Sequence, residues 1–359
     1  MITPKRTGLL VVAVLAMLAW VGEAGATLSV LNTFTGNELV STDGCGSTTA
    51  SCTLQSNIQA GSTIQAAFLY SSTFTRTSVF PNPNGITLSQ GASITAPIFI
   101  PLGVNFFPTG GSAQAWRADI TGFVQANAKL GSLTTWTVTE GGKTLDLDGE
   151  AIVIVYSNPG AQPSTHTITI LDGFSATTGD IAKIGFTALP VGFTAHMFLG
   201  DGHSFDGPDP KNPTSISQVS TIAVDGNNIT TVAGHCDDAQ DTSCGDGNLL
   251  TMGGSNAGPS KDDPFTPPAC NGLGCVGSDH EAYDLGNIFK VGEIAGTLTT
   301  LNPSGDDNLF LEVFDISGTS TINPPPPPPP SVPEPGTFLL LGAGLMVLAG
   351  ARRVLKRRT

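Results

Sequence analysis

Six cysteines, five histidines and 29 acidic residues are the groups of this 359-residue chain that could do chemistry. The cysteines form three near-neighbour pairs, Cys45/Cys52, Cys236/Cys244 and Cys270/Cys275, spaced 7, 8 and 5 positions apart. Each pair brackets Gly- or Asp-rich sequence, so local disulfides in an oxidising compartment are the expected map. Loops this small contribute about 2–3 kcal/mol each in chain-entropy terms. A zinc site is the alternative for Cys236, Cys244, Cys270 and Cys275, with His235 and His280 close by. It lacks the usual Cys-x-x-Cys spacing. Calcium is the better chemical candidate, because it takes six to eight oxygens from loops. Asp201, Asp206, Asp237, Asp238, Asp241 and Asp246 are the residues expected to supply them. No EF-hand spacing is present, and solvated loop acids and Asx-turns are the plainer reading of the same residues.

Catalytic patterns are weaker. Gly202-His203-Ser204-Phe205-Asp206 approaches a nucleophile elbow, but Asp206 stands where the turn requires glycine. None of His166, His196, His203, His235 and His280 has the i, i+4 spacing of a zinc-protease helix. The pairs Asp237/Asp238, Asp262/Asp263 and Asp306/Asp307 could flank a glycosidic bond, yet the chemistry depends on a separation that sequence does not encode. The expectation is a protein without a reaction of its own.

The two ends are set apart by charge and hydropathy. Lys5 and Arg6 precede an apolar run from Gly8 to Val21, and Ala24-Gly25-Ala26 follows. This is the plan of a secretory signal over residues 1–26, cut before Thr27. At the other end, Pro324 to Pro330 are seven consecutive prolines, an extended spacer of about 22 Å. Residues 324–331 are thus a linker. Val332-Pro333-Glu334-Pro335 comes next, then an apolar run from Thr337 to Ala351, then Arg352, Arg353, Lys356, Arg357 and Arg358. A 15-residue helix spans about 22 Å, against a hydrocarbon core of about 30 Å. It makes a short transmembrane stop with its basic tail inside. The ends hold seven of the fifteen basic residues and two of the acids, so the body carries 8 basic against 27 acidic groups, near −19. Such a surface repels nucleic acid and anionic lipid.

Residues 332–359 resemble the PEP-CTERM sorting signal of Gram-negative bacteria in motif, short helix and Arg-rich end. The resemblance implies recognition at Val332, Pro333, Glu334 and Pro335 by an exosortase, a membrane protease. The protease would cut the chain there after transient anchoring in the cytoplasmic membrane. The body would then pass to the cell surface or extracellular matrix.

Short strands punctuated by Gly, Pro, Asn and Asp must position whatever the body does. Ile64–Tyr70, Thr135–Thr139, Ala151–Tyr156, Thr167–Leu171, Thr194–Leu199 and Leu309–Phe314 are the strand candidates. Only Ile120–Leu130 reads as a short helix. A weak repeat aligns Trp116–Ile120 with Glu281–Leu285 and Ala151–Tyr156 with Leu309–Phe314. Asp119 to Trp136 and Asp284 to Leu301 are both 17 residues. The expected fold is all-β, two tandem antiparallel jelly-roll-like sandwiches over 27–180 and 181–323. The order Arg117-Ala118-Asp119-Ile120, Thr135-Trp136-Thr137-Val138, Glu150–Asn158 and Ile170–Phe174 resembles a β-rich module of bacterial adhesin-like surface proteins. That resemblance implies a structural or adhesive role. An exopolysaccharide-binding module, calcium-dependent or not, is the second reading, and exposed Trp or Tyr faces would favour it.

Overall fold

The computed structural model describes residues 28–46, 50–75, 83–106, 112–141, 147–161, 164–175, 179–186, 188–202, 220–233, 250–252, 281–302 and 308–317. These form nineteen strands and one helix, α1 (Thr121–Asn127). Every strand pairing is antiparallel, and the strands make four open sheets. Five of the six strand candidates fall inside observed strands, Thr194–Leu199 starts one residue before its strand, and the helix candidate contains α1.

The chain is built twice to one plan. The first copy comprises β2 (Glu38–Gly46), β3 (Ser51–Ile58), β4 (Thr63–Thr75), β5 (Thr87–Gln90), β6 (Ser93–Thr95), β7 (Ile100–Phe106), β8 (Ser112–Asp119), β9 (Ser132–Thr139) and β10 (Leu147–Ser157). Its sheets run β2-β10-β4-β8-β7 and β3-β9-β5-β6. The second copy comprises β11 (His166–Asp172), β12 (Ile181–Gly185), β13 (Ala195–Gly202), β14 (Ser220–Val224), β15 (Asn227–Ala233), β16 (Leu250–Met252), β17 (Ala282–Asp284), β18 (Ala295–Leu301) and β19 (Asn308–Ser317). Its sheets run β11-β19-β13, with β16 and β17 both on β13, and β12-β18-β14-β15. Adding nine to each strand number converts one plan into the other, except that β16 pairs with β13 where β7 pairs with β8. Local details repeat as well. The Ile120 N–H donates to Ala67 O at 2.9 Å, as Leu285 N–H does to Ala195 O at 2.7 Å. Asp119 Oδ1 accepts from Thr121 N at 2.9 Å, and Asp284 Oδ1 from Gly286 N at 2.8 Å. The β10/β4 ladder shifts between Leu147 and Gly149, and the β19/β13 ladder shifts between Leu309 and Leu311.

The four sheets stack as layers. One core lies between the two sheets of the first copy, around Leu54, Trp136, Ile152 and Ile154. Another fills the second copy, around Met197, Leu199, Leu298 and Phe314. A third joins the copies: Val40, Phe68, Tyr70, Val153 and Val155 pack against Ile168, Ile170, Phe198, Phe310 and Val313. The two inner sheets are therefore covered on both faces. That is why Ala151–Tyr156 is apolar without interruption, while β9, covered on one face only, alternates.

Three expectations change. The seam between the copies falls at the Ser157–His166 connection and not at 180/181, because β11 pairs with β19. The tandem units are not self-contained: β1 (Ser29–Gly36) precedes the first copy yet pairs with β11 of the second. The equal 17-residue spacing is not a structural equivalence, since Trp136 is buried and Leu301 is half exposed. Parity explains this, because a one-residue offset in a strand exchanges its faces.

Candidate functional site

The inner sheets carry charged groups that the strand pattern concealed. Arg117 on β8 forms an ion pair through its Nη1 with Asp172 Oδ2 on β11. The Tyr70 hydroxyl on β4 donates to the same oxygen at 3.2 Å. Arg117 also lies over the Phe68 ring, 5.8 Å from its centroid. The cluster ties the first copy to the second. Burial pushes the Asp172 carboxyl up, more than Arg117 and Tyr70 pull it down. Burial likewise raises the Tyr70 hydroxyl well above its ordinary value, with the Asp172 charge adding to it. Desolvation therefore outweighs attraction at the Asp172 carboxyl.

Two glutamates occupy equivalent places in the copies. Glu150 on β10 lies opposite Ser71 and Cys45. Glu312 on β19 lies opposite Leu199 and Leu171. Both are fully buried. Ser71 Oγ donates to Glu150 Oε1 at 3.4 Å, and Cys52 Sγ lies 3.5 Å from Glu150 Oε2. In the second copy Leu199 and Leu171 stand opposite the glutamate where Ser71 and Cys45 do in the first. Neither oxygen of Glu312 has a hydrogen-bond partner among the described residues. Burial first, and the charge of Asp180 second, push its pKa up to about 8. The sequence signal was an acid within an apolar run for Glu312 and an acid bordering one for Glu150.

Cys45 and Cys52 form a disulfide across the β2–β3 turn, as local pairing required. With Glu150 they make the one compact group of metal-type ligands among the described residues. Joined as a disulfide, the two sulfurs offer no thiolate to a metal. Replacing both cysteines with serine is expected to cost about 2 kcal/mol in urea unfolding, the value for so short a loop.

The other expected site residues divide between buried and undescribed. Asp201 is fully buried on β13, opposite Leu309 and Thr251. Asp206, Asp237, Asp238, Asp241 and Asp246 lie outside the described residues, as do Cys236, Cys244, Cys270, Cys275, His203 and Ser204. Of the histidines, His166 bonds through Nδ1 to Asp315 Oδ1 at 2.7 Å. Ala24, Ala26, Thr27 and Val332 to Pro335 also lie outside the described residues.

A family model for the PEP-CTERM protein-sorting motif matches residues 331–353. The chain carries a PEP-CTERM sorting motif. No curated protein and no solved structure matches the chain. The motif marks a protein sorted by exosortase for export to the cell surface. Among the described residues no helix is long and apolar enough to cross a membrane, and the PEP-CTERM segment lies outside them. The last strand, β19, ends at Ser317 beside His166.

Proposed function

We propose that this chain is a structural or adhesive protein of the cell surface or extracellular matrix, with no reaction of its own. Exosortase cuts it near Val332–Pro335 after a secretory signal over residues 1–26 has been removed. The motif at residues 331–353 carries this reading. The short apolar run and basic tail support it, because such a helix holds a chain only temporarily. Mass spectrometry of the surface form is expected to begin at Thr27 and to lack Arg352–Arg358. An intact C-terminus would restore a plain membrane anchor.

The aromatic residues favour a structural body over a polysaccharide-binding one. Trp116, Trp136, Tyr70, Tyr156 and Tyr283 are all buried, so no Trp or Tyr face of the body is offered to a sugar ring. Saturable binding of the purified protein to a glycan array would overturn this preference.

A further inference from the structure

The duplication leaves one strand over. β2 to β10 recur as β11 to β19, and β1 has no counterpart among the described residues. By sequence β1 belongs to the first copy, and by pairing to the second, as the outermost strand on β11. Asn37 alone joins it to β2. β1 ends at Gly36 opposite His166, and β2 begins at Glu38 opposite Ser157. A single residue thus carries the chain from one inner sheet to the other.

The edge that β1 covers has a definite shape. β11 is buried at every residue from His166 to Asp172. β1 lies along it from Ser29, opposite Asp172, to Gly36, opposite His166, with one shift between Val30 and Asn32. Leu28 and Val30 pack into the second copy's core, while Leu31 and Phe34 pack into the core between the copies. Without β1, a row of backbone donors and acceptors would lie open, flanked by apolar places on both faces of the sheet. Such an edge takes up an extended strand, with backbone bonds giving affinity and alternate side chains giving specificity. The strand shown to fit it is β1, and every copy of the chain carries one.

β1 is also a strand that can be lent. None of its eight residues is fully buried. Ser29 Oγ donates to Asp172 O at 3.4 Å, the Thr33 and Thr169 hydroxyls are 3.4 Å apart, and Thr35 Oγ1 donates to Thr167 Oγ1 at 3.5 Å, all long contacts. Its sequence, Ser-Val-Leu-Asn-Thr-Phe-Thr-Gly, has strand formers but no charge and no proline. The body around it is near −19, so copies repel wherever their acidic surfaces meet. An uncharged strand avoids that repulsion.

We infer that β1 is exchanged between copies of this chain, the β1 of one molecule pairing with β11 of the next in the register seen within one chain. Exchange of an identical element keeps its contacts and opens only the link that holds it at home. A short link favours exchange, because it gives the strand little freedom to close on its own body. Opened at Asn37, eight extended residues reach about 26 Å. A reciprocal pair would press two acidic bodies together, whereas one shared strand per junction spaces them along an open head-to-tail chain. The inference rests on the reading of the body as structural material, and states how that material is joined.

A cross-link across the β1/β11 ladder tests it. Thr33 and Thr169 face each other, so cysteines at these positions are within disulfide reach. Full chain carrying Thr33→Cys is co-expressed with full chain carrying Thr169→Cys, purified in detergent and digested for mass spectrometry. Neither chain holds both substitutions, so a disulfide joining positions 33 and 169 forms only by exchange. That linked peptide is the expected result, with a species of twice the chain mass that reductant removes. The chain carrying both substitutions is expected to give a ladder of masses. Inserting about six Gly and Ser residues after Asn37 lengthens the link and is expected to remove most of the ladder, leaving the circular dichroism of the chain unchanged. No linked peptide in the mixed sample, with the doubly substituted chain cross-linked only within itself, would overturn the exchange. A ladder that stops at twice the mass would overturn the head-to-tail order. A ladder undiminished by the insertion would overturn the short link as its cause. A linked peptide in a chain that also binds a glycan array would remove the structural reading of the body and leave the exchange standing. A missing peptide with a silent array would do the reverse.

Discussion

Glu312→Gln is expected to stabilise the protein by about 4 kcal/mol at pH 8 and to leave it nearly unchanged at pH 4. In the unfolded chain this carboxyl ionises near its ordinary value of 4.5, but in the folded protein it holds its proton up to about pH 8. Between these values the unfolded state loses a proton that the folded state keeps. Rising pH therefore favours unfolding across that window, and the whole penalty is present above pH 8. Burial is the main cause. Glu312 is fully enclosed between β11 and β13, opposite leucines, and neither oxygen has a hydrogen-bond partner among the described residues. Glutamine keeps the shape and removes the charge. Urea unfolding of both proteins at pH 4, 6 and 8 is the measurement. Parallel stability curves would show that Glu312 is not desolvated as the packing requires.

Arg117→Met is expected to destabilise the protein by about 3 kcal/mol. The change leaves the Asp172 carboxylate buried between the inner sheets, with the neutral Tyr70 hydroxyl as its remaining side-chain donor among the described residues. Burial already raises the Asp172 pKa with arginine present. Without it, the carboxyl is expected to take up a proton nearer neutral pH, so the loss should be larger at pH 8 than at pH 5. The direction follows from the raised pKa: an acid that folds protonated is penalised as pH rises. The double variant Arg117→Met, Asp172→Leu should recover most of the stability, because an apolar pair fits a site where desolvation outweighs attraction. A double-mutant cycle in urea measures the coupling. No recovery in the double variant would mean that the cluster contributes net stability and not only register.

Much of the architecture was legible along the chain. Ala151–Tyr156 read as a buried strand because its apolar run is unbroken, and the inner position of β10 supplies the reason. The duplication was visible from Trp116–Ile120 and Glu281–Leu285, whose Asp119 and Asp284 make the same turn in both copies. Its continuation was misjudged, because counting residues does not detect a connection shortened within a repeat. Glu312 stood in plain view as an acid within an apolar strand, and Glu150 as one at the border of an apolar run. Nothing local says that one lies beside Ser71 and the other beside leucines.

The sequence by itself determined the address and the material. The PEP-CTERM motif at residues 331–353 is read as a linear string, and strand periodicity is set by which side chains can face a core. Only the tertiary structure decided which strands meet. β1 pairs with a strand some 140 positions away, Ser29 opposite Asp172, and Arg117 finds its carboxylate in the other copy. Backbone hydrogen bonding is indifferent to sequence, so a strand's partner is chosen by the closure and packing of the whole fold. The same packing buries Glu312 and leaves Leu130 and Val291 exposed.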